Sequence, residues 1–406
     1  AVCGCDCRAR EILISEAAGI PPLDNADGSK SDLAIAFAGA AGNDIAGSLR
    51  SVFTDRSDAA SNTVPDINYR VMRRDLFPAE PPLNQQLRLP RTCEGANIVT
   101  PNGLAREQFD PDIARVSPEL MVTVWVDDFT EAGNHDVRGG TLREVGCSDQ
   151  AFPLTLNQNR NNPLRFPAVA GGPPNVALVV WADGSTVRGR IWSATTDELL
   201  PAAGDIEIGS GAADAAPQVA GNNSGWVVTY GGPSNDGDVV LKTVDLAGVV
   251  GPETRVNIIE DGRQDQPAVA MLVDGRYIVV WRSDDRILYQ RYDADGEQVS
   301  GDQDAPLSRD SPPGSRPAVA ASTDSGTFFA AAWEAEDGAV WARLIDADAA
   351  FLRNSVDGLF GDFIASDATL TGSRTGADVA IGAEFIAFGW NAPNGVFTRR
   401  FPFPEE

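Results

Sequence analysis

The sequence has one histidine and two lysines in 406 residues. A lone imidazole, His135, weakens every His-based triad and every multi-histidine metal site. No Gly-x-Ser-x-Gly elbow, phosphate loop or haem-attachment motif occurs. No apolar run approaches the ~20 residues of a membrane-spanning helix, and helical periodicity is missing throughout. Positive charge is scarce: 32 basic residues face 58 acidic ones, for a net charge of -26. A surface of that sign repels nucleic-acid phosphates and anionic lipid, so neither is bound through a basic face. The same surface attracts divalent cations or basic partners.

What is present is a recurring phrase. Asp110-Pro111-Asp112-Ile113-Ala114 returns as Phe166-Pro167-Ala168-Val169-Ala170 and Ala216-Pro217-Gln218-Val219-Ala220. It continues as Gln266-Pro267-Ala268-Val269-Ala270, Arg316-Pro317-Ala318-Val319-Ala320 and Gly376-Ala377-Asp378-Val379-Ala380. Ser31-Asp32-Leu33-Ala34 reads as a weaker first copy. From Pro167 to Pro317 the step is 50 residues each time. A fixed period of that size means one supersecondary unit stacked on copies of itself.

Each unit has the same order. A short strand after the phrase leads through a tight turn such as Asp274-Gly275 into a nearly continuous apolar strand ending in an aromatic, as in Ile278-Val279-Val280-Trp281. Strands apolar on both faces belong between two other sheets. An acidic or Gly/Asn-rich loop follows, then a third strand such as Ile287–Tyr292, a turn, and a less regular fourth strand. These features predict an all-β fold: a seven-bladed β-propeller of four-stranded antiparallel blades. The last unit supplies only three strands, so the orphan segment 11–15 is expected to complete it and close the ring. Residues 1–10 form a Cys-rich N-terminal segment, and 11–406 a single propeller domain. Insertions are expected near 56–107 and 349–372, the second carrying Phe351, Leu352, Leu359, Phe360 and Phe363, suited either to a partner or to packing on the propeller.

Four constellations bear on function. The aromatics Phe53, Trp125, Trp181, Tyr230, Trp281, Trp333 and Trp390 end the central strands; they are read as wedges between blades rather than sugar platforms. The loops that follow carry Asp127, Asp128, Asp183, Asp284, Asp285, Glu336 and Asp337, with Asp55 and Glu334 beside them. Equivalent loops of a propeller share one face, so these carboxylates are expected to converge around the channel. There they would attract calcium or an Arg-rich partner, or form a plain solvated face. Asp293-Ala294-Asp295-Gly296, echoed by Asp346-Ala347-Asp348, starts like a calcium loop, but Asp304 stands where an EF-hand has its last glutamate; hairpin turns are expected. His135, in Asn134-His135-Asp136, is placed in a solvated polar loop.

Cys3, Cys5 and Cys7 alternate at the start of the chain, with Cys93 and Cys147 far off. Two pairings would leave one thiol over, which suits disulfides and an intermolecular bond, and alternatively a soft-metal site. The first residue is Ala1, which fits removal of a signal peptide. Cysteine usage and Asn/Gly/Pro/Ser-rich loops favour a secreted or cell-surface location.

The unit Pro267-Ala268-Val269-Ala270…Asp274-Gly275-Arg276-Tyr277-Ile278-Val279-Val280-Trp281…Gln290-Arg291-Tyr292-Asp293-Ala294-Asp295-Gly296 resembles a repeat of bacterial secreted and surface proteins, found in adhesin-like and toxin-like calcium-binding chains. The resemblance covers roughly 108–406 and implies an extracellular propeller with a binding or structural role; it carries over no catalytic residue. The expectation is a non-enzymatic module of a cell-surface or filament-like assembly. Its partners are other protein subunits, its own copies among them, or a surface glycan. The alternative is a carbohydrate-active hydrolase or lyase using carboxylates at the channel mouth; a metal-dependent redox propeller is a third, weaker reading. If the odd cysteine joins subunits, native material runs as an oligomer on a non-reducing gel and as a monomer after reduction. A monomer under both conditions removes the covalent link.

Overall fold

The protein is described by a computed structural model. It describes residues 12–13, 30–37, 49–55, 66–72 and 87–89, and most of 108–403 except 119, 129–134, 144–153, 160–161, 213–215, 234–236, 300–303, 310, 323–327, 349–360, 367–373, 383–384 and 393–394. All five cysteines lie outside the described residues, as do Phe351, Leu352, Leu359 and Phe360.

Every regular element among the described residues is a β-strand. The strands form seven antiparallel sheets, six built from consecutive stretches of chain and one from the last three strands together with Ile12–Leu13. In chain order the sheets begin with Lys30–Phe37, Gln108–Ser117, Leu164–Gly171, Gln218–Asn222, Gln264–Met271, Gly314–Ala321 and Thr375–Ile381. These first strands touch one another in sequence, each packing on the next and the seventh on the first. The arrangement is a β-propeller with the first strands at the axis. In the seventh sheet, Thr375–Ile381, Phe385–Ala392 and Gly395–Pro402 pair in order. The two-residue strand Ile12–Leu13 lies on its outer edge, Ile12 opposite Thr398 and Leu13 opposite Phe397.

The second strand of each sheet is covered on both faces, which is why its sequence is apolar without alternation. Leu178, Val179, Val180 and Trp181 are fully buried, as are Ile278, Val279, Val280 and Trp281. Apolar clusters join each sheet to the next: Val180 with Val228, Val227 with Val279, Val280 with Ala331, and Ala332 with Phe388. The terminal aromatics Trp125, Trp181, Tyr230, Trp281, Trp333 and Trp390 fill these seams, none more than 1% exposed. The wedge reading therefore holds for all of the series except Phe53, whose side chain is not described.

Four details differ from the sequence reading. The repeated phrase does not precede the first strand; it is that strand, as in Leu164–Gly171. The first copy is displaced by two residues. Ala34 faces Val52 and Ile35 faces Ser51, as Asp112 faces Val124 and Ile113 faces Thr123. Asp32-Leu33-Ala34-Ile35-Ala36 is therefore the true counterpart; its missing proline hid the register. The supposed insertions contain sheet strands: Asp66–Met72 and Leu87–Leu89 are the third and fourth strands of the first sheet, and Phe363–Ile364 is the fourth of the sixth. Finally, His135 is no solvated loop residue. It starts the strand His135–Arg143, is 8% exposed, lies edge-on to Phe109 and contacts the Leu164 carbonyl through Nδ1 at 3.0 Å.

Neighbouring sheets are also tied at their outer ends. Asp205 accepts the main-chain N–H groups of Gln158 and Asn159, and Asp304 those of Ile258 and Ile259. Asp362 accepts those of Arg309 and Ser311. In each case a carboxylate just before the last strand of its sheet holds the chain leaving the preceding sheet, satisfying N–H groups that no ladder serves. Near the axis, Gly171 leaves no room for a side chain. A Cβ added at Gly171 would overlap the Arg115 carbonyl of the adjacent sheet. Gly171→Ala is expected to cost about 1–3 kcal/mol, read as a lower midpoint in thermal unfolding.

Candidate functional site

The first strands line an axial channel. Toward one face it widens into a cavity of about 970 Å³. Toward the other it forms a second cavity of about 540 Å³ lined by Arg115, Gly171, Asn222, Met271 and Ala321, with Val169 shared between the two. The larger cavity is built from the repeated phrase itself.

Each phrase bends its strand in the same way. Asp110 and Pro111 together oppose one residue, between the pairs Phe109–Val126 and Asp112–Val124. The same irregularity recurs between Arg165 and Ala168, Asp265 and Ala268, Ser315 and Ala318, and Thr375 and Asp378. These are β-bulges with a left-handed first residue. Asp110, Phe166 and Gln266 have φ 52°, Arg316 47°, Ala216 33° and Gly376 61°. Non-glycine residues adopt this region at a cost, and Phe166 is the single aromatic among the described residues to do so. The bulge turns the residue before the proline toward the channel mouth, where Asp110, Phe166, Ala216, Gln266 and Arg316 all line the cavity.

Some of these side chains hold the ring. Asp110 accepts the N–H of Phe166 at 3.2 Å, and Gln266 that of Arg316 at 2.8 Å. Two residues deeper, Asp112 accepts its neighbour Ile113 at 2.8 Å and Val169 of the next sheet at 2.7 Å. Asp378 does the same for Val379 at 2.8 Å and for Ile35 of the first sheet at 2.7 Å. Other side chains point charge into the mouth. Arg263 and Arg316 are 60% and 64% exposed, and reach Asp265 at 2.5 Å and Glu334 at 3.7 Å. The cavity thus carries ion-paired arginines along the fifth and sixth sheets, with Asp265 among its lining residues, and carboxyls along the seventh and second.

Asp112 and Asp378 are partly covered yet deep in the wall. Burial pushes Asp112 up to about 6, against two backbone N–H groups that pull it down. Burial also pushes Asp378 up to about 7, helped by the charge of Asp112 and opposed by its own two N–H donors. Desolvation outweighs hydrogen bonding at both positions. Glu334 is raised as well, by burial, with Arg316 opposing.

The acidic loop residues do not converge on this cavity. They sit at the same end of the sheets, one strand farther out: Asp183 pairs with Leu164 across the first two strands of its sheet. Asp183 is buried and accepts Arg188 Nε, Asn159 Nδ2 and Asn162 Nδ2, each at 2.7 Å. Asp127 is buried 3.6 Å from Arg138, and Asp128 is partly buried beside it. Asp284 accepts the N–H of Arg263 at 2.9 Å, while Asp285 and Glu336 are exposed in their turns. Asp337 caps its own turn through the Ala339 N–H and the Trp341 indole. Asp127, Asp183, Asp284 and Asp337 thus serve local geometry. No three His, Cys, Asp or Glu side chains gather as a metal site among the described residues. The Asp293-to-Gly296 segment is a hairpin turn, Asp293 Oδ1 accepting the N–H groups of Asp295 and Glu297. The signal for the real cavity was available in the repeat: the residue before the proline differs in every copy from Asp110 to Gly376, while the closing Ile/Val-Ala pair is kept.

No protein-family model matches the sequence, and no curated protein is similar to it. Among solved structures, the chain is similar to an alpha-L-arabinanase from Penicillium chrysogenum complexed with arabinobiose. Identity is 11%, over 72% of this chain and 92% of that one, with a TM-score of 0.48. It is also similar to prolyl oligopeptidase B from Galerina marginata bound to a 25mer macrocyclization substrate. There identity is 9% over 85% of this chain, with a TM-score of 0.43, and the likeness spans 45% of the oligopeptidase.

The raised carboxyls have a consequence for stability. A group whose folded pKa exceeds its unfolded value of 3.8 stabilises most when protonated in both states. Their contribution is full below about pH 4 and fades as pH rises through 6 and 7. Relative to Asp112→Asn and Asp378→Asn, the wild type should therefore lose about 1–3 kcal/mol between pH 4.5 and 8. Thermal unfolding across that range measures the difference. A gap between wild type and variants that does not change with pH contradicts it.

Proposed function

We propose that this chain is a seven-bladed ligand-binding propeller of a secreted or cell-surface assembly, closed by its N-terminal strand, that recognises its ligand at the larger mouth of the axial channel. The observation carrying the binding reading is the ring of left-handed residues. One backbone geometry, repeated around the axis, presents a different side chain at each step: carboxylate, phenyl, methyl, amide, guanidinium and hydrogen. Variable side chains on a rigid constant frame are how loop-bearing scaffolds achieve recognition. Ring closure is supported by the cyclic contacts of the first strands and by the pairing of Ile12 and Leu13 with the last sheet. The extracellular setting, protein or glycan partners and cross-linking through Cys3, Cys5 or Cys7 rest on the sequence and its adhesin-like repeat.

A second reading, a carbohydrate-active hydrolase, is favoured by one observation: two carboxyls with raised proton affinity line the same cavity. Against it, both oxygens of Asp112 and of Asp378 already accept main-chain N–H groups at 2.7–2.8 Å. This makes them struts of the wall before they are acids or bases.

A glycan and peptide array separates the two. Ala216→Phe adds a ring where the neighbouring sheet already accommodates Phe166, so the fold should persist. Binding should fall about tenfold or more, with no turnover of any bound glycan by the wild type. Turnover that disappears in Asp112→Asn or Asp378→Asn selects the hydrolase. Binding indifferent to Ala216→Phe removes the channel mouth as the site.

A further inference from the structure

We propose that the ligand of the channel mouth is an acidic saccharide, its sugar ring against Phe166 and its carboxylate against Arg316. The inference deepens the binding reading above and rests on it.

Asp110 and Gln266 spend side-chain acceptors on the main chain of the next sheet, and Ala216 and Gly376 offer little to grip. Phe166 has no polar atom to latch with, and Arg316 turns to Glu334 of its own sheet at 3.7 Å. These are the two bulky side chains of the ring left to meet a ligand. Holding a phenylalanine at φ 52° costs backbone strain, and the bulge needs no aromatic, since alanine, glutamine and arginine serve elsewhere. A half-buried phenyl facing a polar cavity offers an apolar platform of the kind on which a sugar ring packs.

Phe166 lies on the third sheet and Arg316 on the sixth, the widest separation a ring of seven allows. A ligand touching both spans the mouth, which favours a short chain of sugar units. Two guanidiniums, Arg263 and Arg316, edge the same arc, both more than half exposed. Asp265 and Glu334 lie beside them, yet each guanidinium keeps exposed donors, suited to a planar carboxylate by bidentate hydrogen bonding. The facing arc, with Asp110, Asp112 and Asp378, together with the Gln218 amide, supplies acceptors and donors for hydroxyl groups.

The test is calorimetric titration with three probes: oligogalacturonate, the same oligomer methyl-esterified, and a neutral galacto-oligosaccharide. The wild type should prefer the acid to its ester. Arg316→Gln should weaken the acid about 10- to 100-fold and leave the ester unchanged. Phe166→Asn should weaken acid and ester alike, by about 2- to 10-fold. Asparagine tolerates the left-handed region, so the bulge survives, and an unchanged melting temperature verifies it. An acid that binds no better than its ester, or binding untouched by Arg316→Gln, overturns the inference. If the neutral sugar binds and Ala216→Phe abolishes it while the acid does not bind, this inference falls and the channel-mouth reading stands. If no probe or array member binds through the channel, the reading itself falls.

Discussion

The structure depends on one local conformation, a left-handed residue followed by proline or alanine, repeated in the first strand of successive sheets. The bulge inserts two residues opposite one, so the strand bends and its main-chain N–H groups turn from their own sheet toward the neighbour. Those groups sit in the channel wall, where an unmet donor is costly. Side chains of the preceding sheet meet several of them: Asp110 and Gln266 at the mouth, Asp112 and Asp378 below. The kink that exposes the donors also positions the acceptors, so strand geometry and sheet-to-sheet attachment are one feature.

The outer ends of the sheets use the same chemistry with other residues. Asp205, Asp304 and Asp362 hold the chain leaving the preceding sheet. Between inner and outer latches lies the apolar seam with its buried tryptophans. The sheets are thereby attached at two radii by directional bonds and along the middle by packing, which resists rotation of one sheet on another. A ligand at the mouth meets side chains that are largely preordered, which limits the entropy lost on binding.

The unit was legible because its signals are local and repeat. A residue-50 period, an apolar strand ending in an aromatic and an Asp-Gly turn each arise from short-range constraints, and several copies average out the exceptions. The first sheet was harder: without its proline, Asp32-Leu33-Ala34-Ile35-Ala36 was misaligned by two. Its third strand, Asp66–Met72, lies within residues that read as an insertion because they break the period. The acidic loops misled for a different reason. Asp183 and Asp127 stand in equivalent positions, which suggested convergence, but sheets diverge from the axis. One strand outward, those carboxylates face Arg188, Arg138 and nearby amides. His135 looked solvated because its neighbours are polar; packing against Phe109 and the Leu164 carbonyl buries it.

The order of residues along the chain was enough to dictate the repeating unit, its strand count and the apolar seams, because strand period, turn chemistry and two-sided burial act within a few dozen residues. The side chains that share the channel came from folding. Phe166 and Arg316 are 150 positions apart in the chain, and the sequence around Asp112 and Asp127 does not say that the first latches a neighbouring sheet and the second pairs with an arginine. Distance to the axis separates them, and that distance exists once the sheets have closed around one another.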